Sequence, residues 1–174
     1  MRYLEVRRHT MRPKPGQHLS QAGVDLARRI GEDLGPFEYV VTSVIPRAFE
    51  TAIAMGFAVD EQIEQLGVMD AAIEMEVGWP ATFAEYARAM KLGGATARFG
   101  RVLAEVWRGV VERVSSAGNA LIITHGGIIE IGATGCLPQA DHSAWGDHCS
   151  YCEGVRLGFD GEVFVTCEIL RVGG

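Results

Sequence analysis

Two strand-like runs, more than a hundred residues apart, lead to the same residue type. Ala120-Leu121-Ile122-Ile123 carries no polar position before Thr124 and then delivers His125. Such a run reads as a strand buried on both faces, which requires helices above and below it. The first run, Arg2–Arg7, sets Tyr3, Leu4 and Val6 among charged residues, reads as a strand too, and delivers Arg8 and His9. A strand of this kind cannot stand alone, so the intervening chain must supply the covering layers.

That intervening chain has the needed pattern. Leu19, Ala22, Leu26, Ile30 and Leu34 recur at helical spacing behind Ser20, a capping residue, and Gly35-Pro36 stops the helix. Glu38–Thr42 predicts a second strand, and Pro46 opens a helix running to about Met55. Phe57–Met69 is irregular or a short strand. Glu74–Pro80 reads as loop, Ala81–Leu92 as helix, and Thr96–Ala117 as the longest helix, with Phe99, Leu103, Val106, Trp107 and Val110 on one stripe. A helix leaves the second histidine over Gly127–Thr134. Ser150–Phe159 and Glu162–Arg171 flank Asp160-Gly161, a hairpin signal. The expected fold is an α/β domain spanning 1–174, a three-layer α/β/α sandwich whose mainly parallel sheet carries an antiparallel edge hairpin.

A chain of 174 residues with 48% hydrophobic and 22% charged residues buries an ordinary core. Its net charge of -6 argues against a broad nucleic-acid surface. The arginines around His9 therefore run against the overall balance. No apolar run is long enough to span a bilayer or to serve as a signal peptide. Four cysteines suit reduced thiols in a cytoplasmic protein better than a disulfide framework. Asp147-His148-Cys149-Ser150-Tyr151-Cys152 lacks a second Cys-x-x-Cys pair for a structural zinc, so Cys149 and Cys152 read as small buried hydrophobes. No metal and no cofactor is expected. Oligomeric state is left open.

In an open α/β sheet, ligands sit beyond the carboxyl ends of the strands, where His9 and His125 both fall. The Gly126-Gly127 step and the following helix amino end would welcome an anion. A neutral imidazole is a competent nucleophile toward phosphorus. The spread charge of a transferring phosphoryl group needs several fixed donors, which Arg8, Arg12 and Arg47 can supply as guanidinium forks. His125 can add another, and a carboxylic acid near the leaving oxygen would complete the set. Arg7, one residue earlier on the strand, points to the opposite face.

Arg8-His9-Thr10, Leu19-Ser20-Gln21-Ala22-Gly23, Thr42-Ser43-Val44-Ile45-Pro46-Arg47-Ala48 and Thr124-His125-Gly126-Gly127 resemble, in order, the signatures of the histidine phosphatase superfamily, which contains the cofactor-dependent phosphoglycerate mutases. The resemblance runs over nearly the whole chain. It implies a phosphoglycerate mutase-like fold and a metal-independent phosphomonoester hydrolase acting on a small phosphorylated metabolite. His9 would be phosphorylated, Arg8 and Arg47 would grip the phosphoryl group, and His125 would contact it in the transition state. Arg12 sits where some members carry a second arginine. Glu74-Met75-Glu76-Val77-Gly78 resembles the family's acid segment, making Glu74 the proton donor or Glu76 its substitute. Two departures stand out. Thr10 replaces the usual glycine, so its methyl would narrow the pocket or its hydroxyl would bind a phosphate oxygen, and Met11-Arg12-Pro13-Lys14 replaces the usual continuation. Gly126 is the remaining expected substrate contact. A mutase, a protein phosphohistidine phosphatase and a non-catalytic phosphate-binding module are the alternatives. Residues between Phe57 and Gly94 would line the mouth, with Trp79, Phe83 and Tyr86 as contacts.

Overall fold

The computed structural model describes residues 1–173. Its strands are β1 (Arg2–Arg8), β2 (Tyr39–Thr42), β3 (Glu61–Gln62), β4 (Asn119–Thr124), β5 (Gly154–Phe159) and β6 (Phe164–Leu170). Its helices are α1 (Gln21–Gly31), α2 (Pro46–Ala54), α3 (Ala71–Glu76), α4 (Phe83–Lys91), α5 (Ala95–Val111) and α6 (Ile128–Cys136). The strands form one sheet in the order β3-β2-β4-β1-β5-β6. The first four run parallel, and β5 and β6 extend the sheet antiparallel beyond β1.

Strand alternation sorts the core into two layers. Val40, Leu121 and Ile123 face α1 and α2, meeting Ala27, Ala48, Ala52 and Met55. Leu4, Val6, Val41 and Ile122 face the other way, against Phe83 and Tyr86 of α4, Leu103 and Trp107 of α5, and Ile128 and Ile131 of α6. β4 is buried along nearly its whole length because helices cover both faces, as its unbroken apolar run requires. The result is a three-layer α/β/α sandwich. Among the described residues, no helix is long and apolar enough to cross a membrane.

The structure departs from the sequence pattern in several places, among them β5, which starts at Gly154 rather than Ser150 because Ser150–Glu153 forms a turn. Residues Ala71–Glu76 form α3, capped by Asp70 through Ala72 N–H, so Glu74 stands on a helix rather than in a loop. The longest helix ends at Val111, short of Ala117. The Glu38 carboxylate draws the chain away there by accepting bonds from the Ser115 N–H and hydroxyl. The loop before β5 holds one turn of 3₁₀ helix at His142–Trp145. Ser20 caps α1 as its position indicates, accepting from Gly23 N–H.

Candidate active site

Register brings the two histidines together. β1 pairs with β4 so that Arg8 lies opposite Thr124, and the His9 N–H still donates to the Thr124 carbonyl at 2.9 Å. One further step sets His9 beside His125, with ring centroids 5.2 Å apart. β2 ends alongside at Thr42, which places Ser43 next to His125 and Arg47 in the first turn of α2.

His9 is held in one tautomer. Its Nδ1 lies 2.7 Å from the Thr10 carbonyl oxygen, which can only accept, so Nδ1 carries the hydrogen. The Arg47 Nε–H donates to His9 Nε2 at 3.2 Å, and guanidinium has no acceptor, so Nε2 carries the lone pair. Both contacts demand the same neutral ring. Burial, helped by the neighbouring arginines, lowers the His9 pKa from the usual 6.5 to about 3. His125 is lowered as well, first by burial and then by His9 and the arginines. Its Nε2 lies 2.7 Å from the Ser43 hydroxyl, and its buried Nδ1 has no hydrogen-bond partner among the described residues.

The two rings line a cleft of about 390 Å³ together with Arg8, Arg12, Arg47, Glu74 and Gly126. Lys14, Met69, Trp79 and Tyr151 complete its wall. Arg8 is fixed from three sides. Its Nη1 donates to the Cys149 carbonyl at 3.1 Å, and its guanidinium carbon stands 4.5 Å from the Tyr151 ring centre and 5.3 Å from that of Trp79. Arg47 also donates to Gln17 and Arg12 to the Gly16 carbonyl, which ties both to the loop after His9. Burial and mutual crowding lower Arg8 and Arg47 from the usual arginine range, a repulsion that a shared anion would relieve. A larger apolar groove of about 690 Å³ between α1 and α2 contains none of these groups.

Several expectations are corrected by these contacts. The Thr10 hydroxyl does not face the cleft; it donates to the Gly23 carbonyl at 2.9 Å and is fully buried. Its own N–H is taken by Thr51. Phe83 and Tyr86 are core residues with 0% and 1% exposure, so of the three aromatic contacts expected at the mouth only Trp79 lines it. Glu76 is committed to the amino end of α5, accepting from the Ala95 and Thr96 N–H groups and the Thr96 hydroxyl. Glu74 lines the cleft from α3. Arg7 turns away from it to Glu5 and the Cys152 carbonyl.

The Gly126-Gly127 turn serves differently from what its sequence suggests. A side chain on Gly126 would meet the Trp79 ring at 2.3 Å, so glycine there admits the indole. The Gly127 N–H is consumed by Glu130, a buried carboxylate on the first turn of α6 that sequence reasoning missed. Its one signal was a lone charge in the apolar run Ile128-Ile129-Glu130-Ile131. Ser43, Gln17 and Tyr151 were missed too, because each acts through a partner distant in sequence.

Among the described residues, no group of three or more His, Cys, Asp or Glu side chains is placed to hold a metal ion. Cys149 and Cys152 are fully buried, and burial pushes both thiols up.

The architecture is shared by solved structures at low identity. The chain superposes with a TM-score of 0.72 on a phosphoserine phosphatase from Entamoeba histolytica, at 15% identity over 99% of this chain and 98% of that one. The score is 0.66 for a mycobacterial glucosyl-3-phosphoglycerate phosphatase, at 20% identity over 99% and 100% of the two chains. A phosphoglycerate mutase from Bacillus anthracis gives 0.62, at 16% identity over 97% and 92%. A search of curated proteins gave no match. The family model described as histidine phosphatase superfamily (branch 1) matches residues 5–169, nearly the whole length. With both histidines, their arginines and the sheet that joins them accounted for, this chain belongs to the histidine phosphatase superfamily.

Proposed function

We propose that the chain hydrolyses a small phosphorylated metabolite through a phosphohistidine formed on His9. One observation carries this reading: two independent hydrogen bonds leave the His9 lone pair on Nε2, in a cleft lined by guanidinium groups, where the Arg47 Nε–H that it accepts passes to a phosphoryl oxygen before Nε2 attacks. Nε2 attacks phosphorus, a P–N bond forms, and the P–O bond to the leaving alcohol breaks. Glu74 gives its proton to the leaving oxygen. Water then attacks phosphorus, Glu74 takes back a proton, and the P–N bond breaks to release inorganic phosphate and neutral imidazole. Arg8, Arg12 and Arg47 carry the phosphoryl oxygens throughout, and His125 contributes a donor from the β4 side. Gly126 lets Trp79 close over the floor of the cleft, against the leaving group.

The test is turnover of para-nitrophenyl phosphate by the wild type and by His9→Ala, with the phosphoenzyme trapped from a labelled substrate. An acid-labile, alkali-stable label that disappears with His9 supports the reading. Release that persists in His9→Ala, or a label stable to acid, overturns it. Phosphoryl transfer between glycerate positions that outruns phosphate release would mark a mutase, and vanadate binding without any release a binding module.

A further inference from the structure

Glu130 is the single charged residue of α6, and it has 0% exposure. Buried carboxylates are costly unless their oxygens are satisfied. Both oxygens here are satisfied by backbone. Oε2 accepts from Gly127 N–H at 2.6 Å and Oε1 from Cys149 N–H at 2.7 Å. These two amides belong to different walls of the cleft. Gly127 is in the turn that follows His125, and Cys149 opens the segment that carries Tyr151.

The Cys149 peptide is a relay. Its N–H is held by Glu130, and its carbonyl accepts from Arg8 Nη1. Three residues on, Cys152 adopts a φ of 61°, a left-handed conformation uncommon outside glycine. The turn that presents Tyr151 to Arg8 is therefore not one that its local sequence favours. Gly127, at the other end of the carboxylate, also has positive φ, 84°. One buried side chain thus pins two turns, one on each side of the cleft.

We infer that Glu130 is a positioning residue: its carboxylate braces the Cys149–Tyr151 segment and the His125 turn against each other, and so holds Arg8 at the reacting phosphoryl group. The same contact occupies the Gly127 amide at the amino end of α6, one of those a helix end can offer an anion. The catalytic part of this inference rests on the hydrolase reading above.

Glu130→Gln keeps size and shape. Its carbonyl can still accept one N–H, but its NH₂ then meets the other, donor against donor. The experiment compares wild type, Arg8→Ala, Glu130→Gln and the double variant, in turnover of para-nitrophenyl phosphate and in orthovanadate affinity. Glu130→Gln is expected to lower kcat/KM about 10- to 100-fold, as misplacing a catalytic donor does. The double variant is expected to be no slower than Arg8→Ala, because Glu130 acts through that arginine. Full activity in Glu130→Gln, or losses that multiply in the double variant, overturns the brace. If none of the four turns over substrate, the hydrolase reading falls, while the pattern of vanadate affinities still decides the brace. Should Glu130→Gln fail to fold, hydrogen exchange in the wild type decides: slow Gly127 and Cys149 amides support the brace, and exchange as fast as exposed loop overturns it.

Discussion

The carboxyl ends of β1 and β4 follow one plan in sequence and diverge in chemistry. Each strand is followed directly by a histidine, and each ring is buried and neutral. At β1 the histidine is oriented by its own backbone through the Thr10 carbonyl, and arginines flank it. At β4 the orienting group is the hydroxyl of Ser43 from a different strand, and the following turn is closed by an internal carboxylate. A lone pair facing cations suits attack on phosphorus. A ring fixed by a neutral hydroxyl, with no second partner among the described residues, suits a stationary dipole. Two similar sequence signals therefore mark one nucleophile and one stabilising group in the proposed reaction.

The largest expected effect separates the two ends. His9→Ala should abolish turnover of para-nitrophenyl phosphate, a loss of about 10⁴-fold or more, since His9 is the group proposed to form the covalent intermediate. His125→Ala should cost about 10²- to 10³-fold, the usual loss for one oriented donor. An amide side chain sharpens the contrast: His125→Asn should recover part of the lost rate and His9→Asn none, as read from kcat. Equal recovery at both positions would break the distinction.

Next come the cations. Arg47→Ala should lower kcat/KM by about 10²-fold, with a comparable loss of vanadate affinity. Arg47→Lys should recover little, because Arg47 reaches His9 with Nε and Gln17 with Nη1 at once, a fork that an ammonium cannot copy.

The pH dependence is smaller and concerns both rings. A histidine whose folded pKa lies at about 3 instead of 6.5 stays neutral on the acid side of neutrality, so kcat/KM should show no His9 inflection near 6.5. Linkage gives the sign for stability. Between those two values the unfolded chain binds more protons than the folded one, so unfolding free energy rises with pH and its His9 part is complete above 6.5. Denaturant titrations across this window should show stability falling as acid is added, with a shallower fall in His9→Ala.

The smallest effect concerns Thr10. Thr10→Val removes a buried hydroxyl and leaves the Gly23 carbonyl without its donor, which should cost about 1–2 kcal/mol of stability. The change in kcat should stay within about threefold, because about 0.6 kcal/mol or less of barrier is at stake for a group outside the cleft. A large loss of rate would return Thr10 to the site.

Local pattern was enough for the parts of this protein that depend on neighbours in the chain. The unbroken apolar run of β4 implied covering helices on both faces, and Ser20 and Pro46 marked helix starts. Residues Arg8, His9, Arg47 and His125 could be nominated because they follow strands or open a helix, and side-chain alternation turned Arg7 away from them. Tertiary structure decided what lies between these signals. The β1–β4 register set the rings side by side, and the hydroxyl of Thr10 went to Gly23 rather than to the cleft. Glu76 capped α5 while Glu74 stayed at the cleft, a choice between neighbours on α3 that periodicity cannot make. Ser43 and Glu130 gained their roles only through partners 82 and 19 residues away. The division has one physical cause: burial and helix capping are written in short-range pattern, whereas a hydrogen bond between distant residues exists only once packing has brought donor and acceptor within about 3 Å.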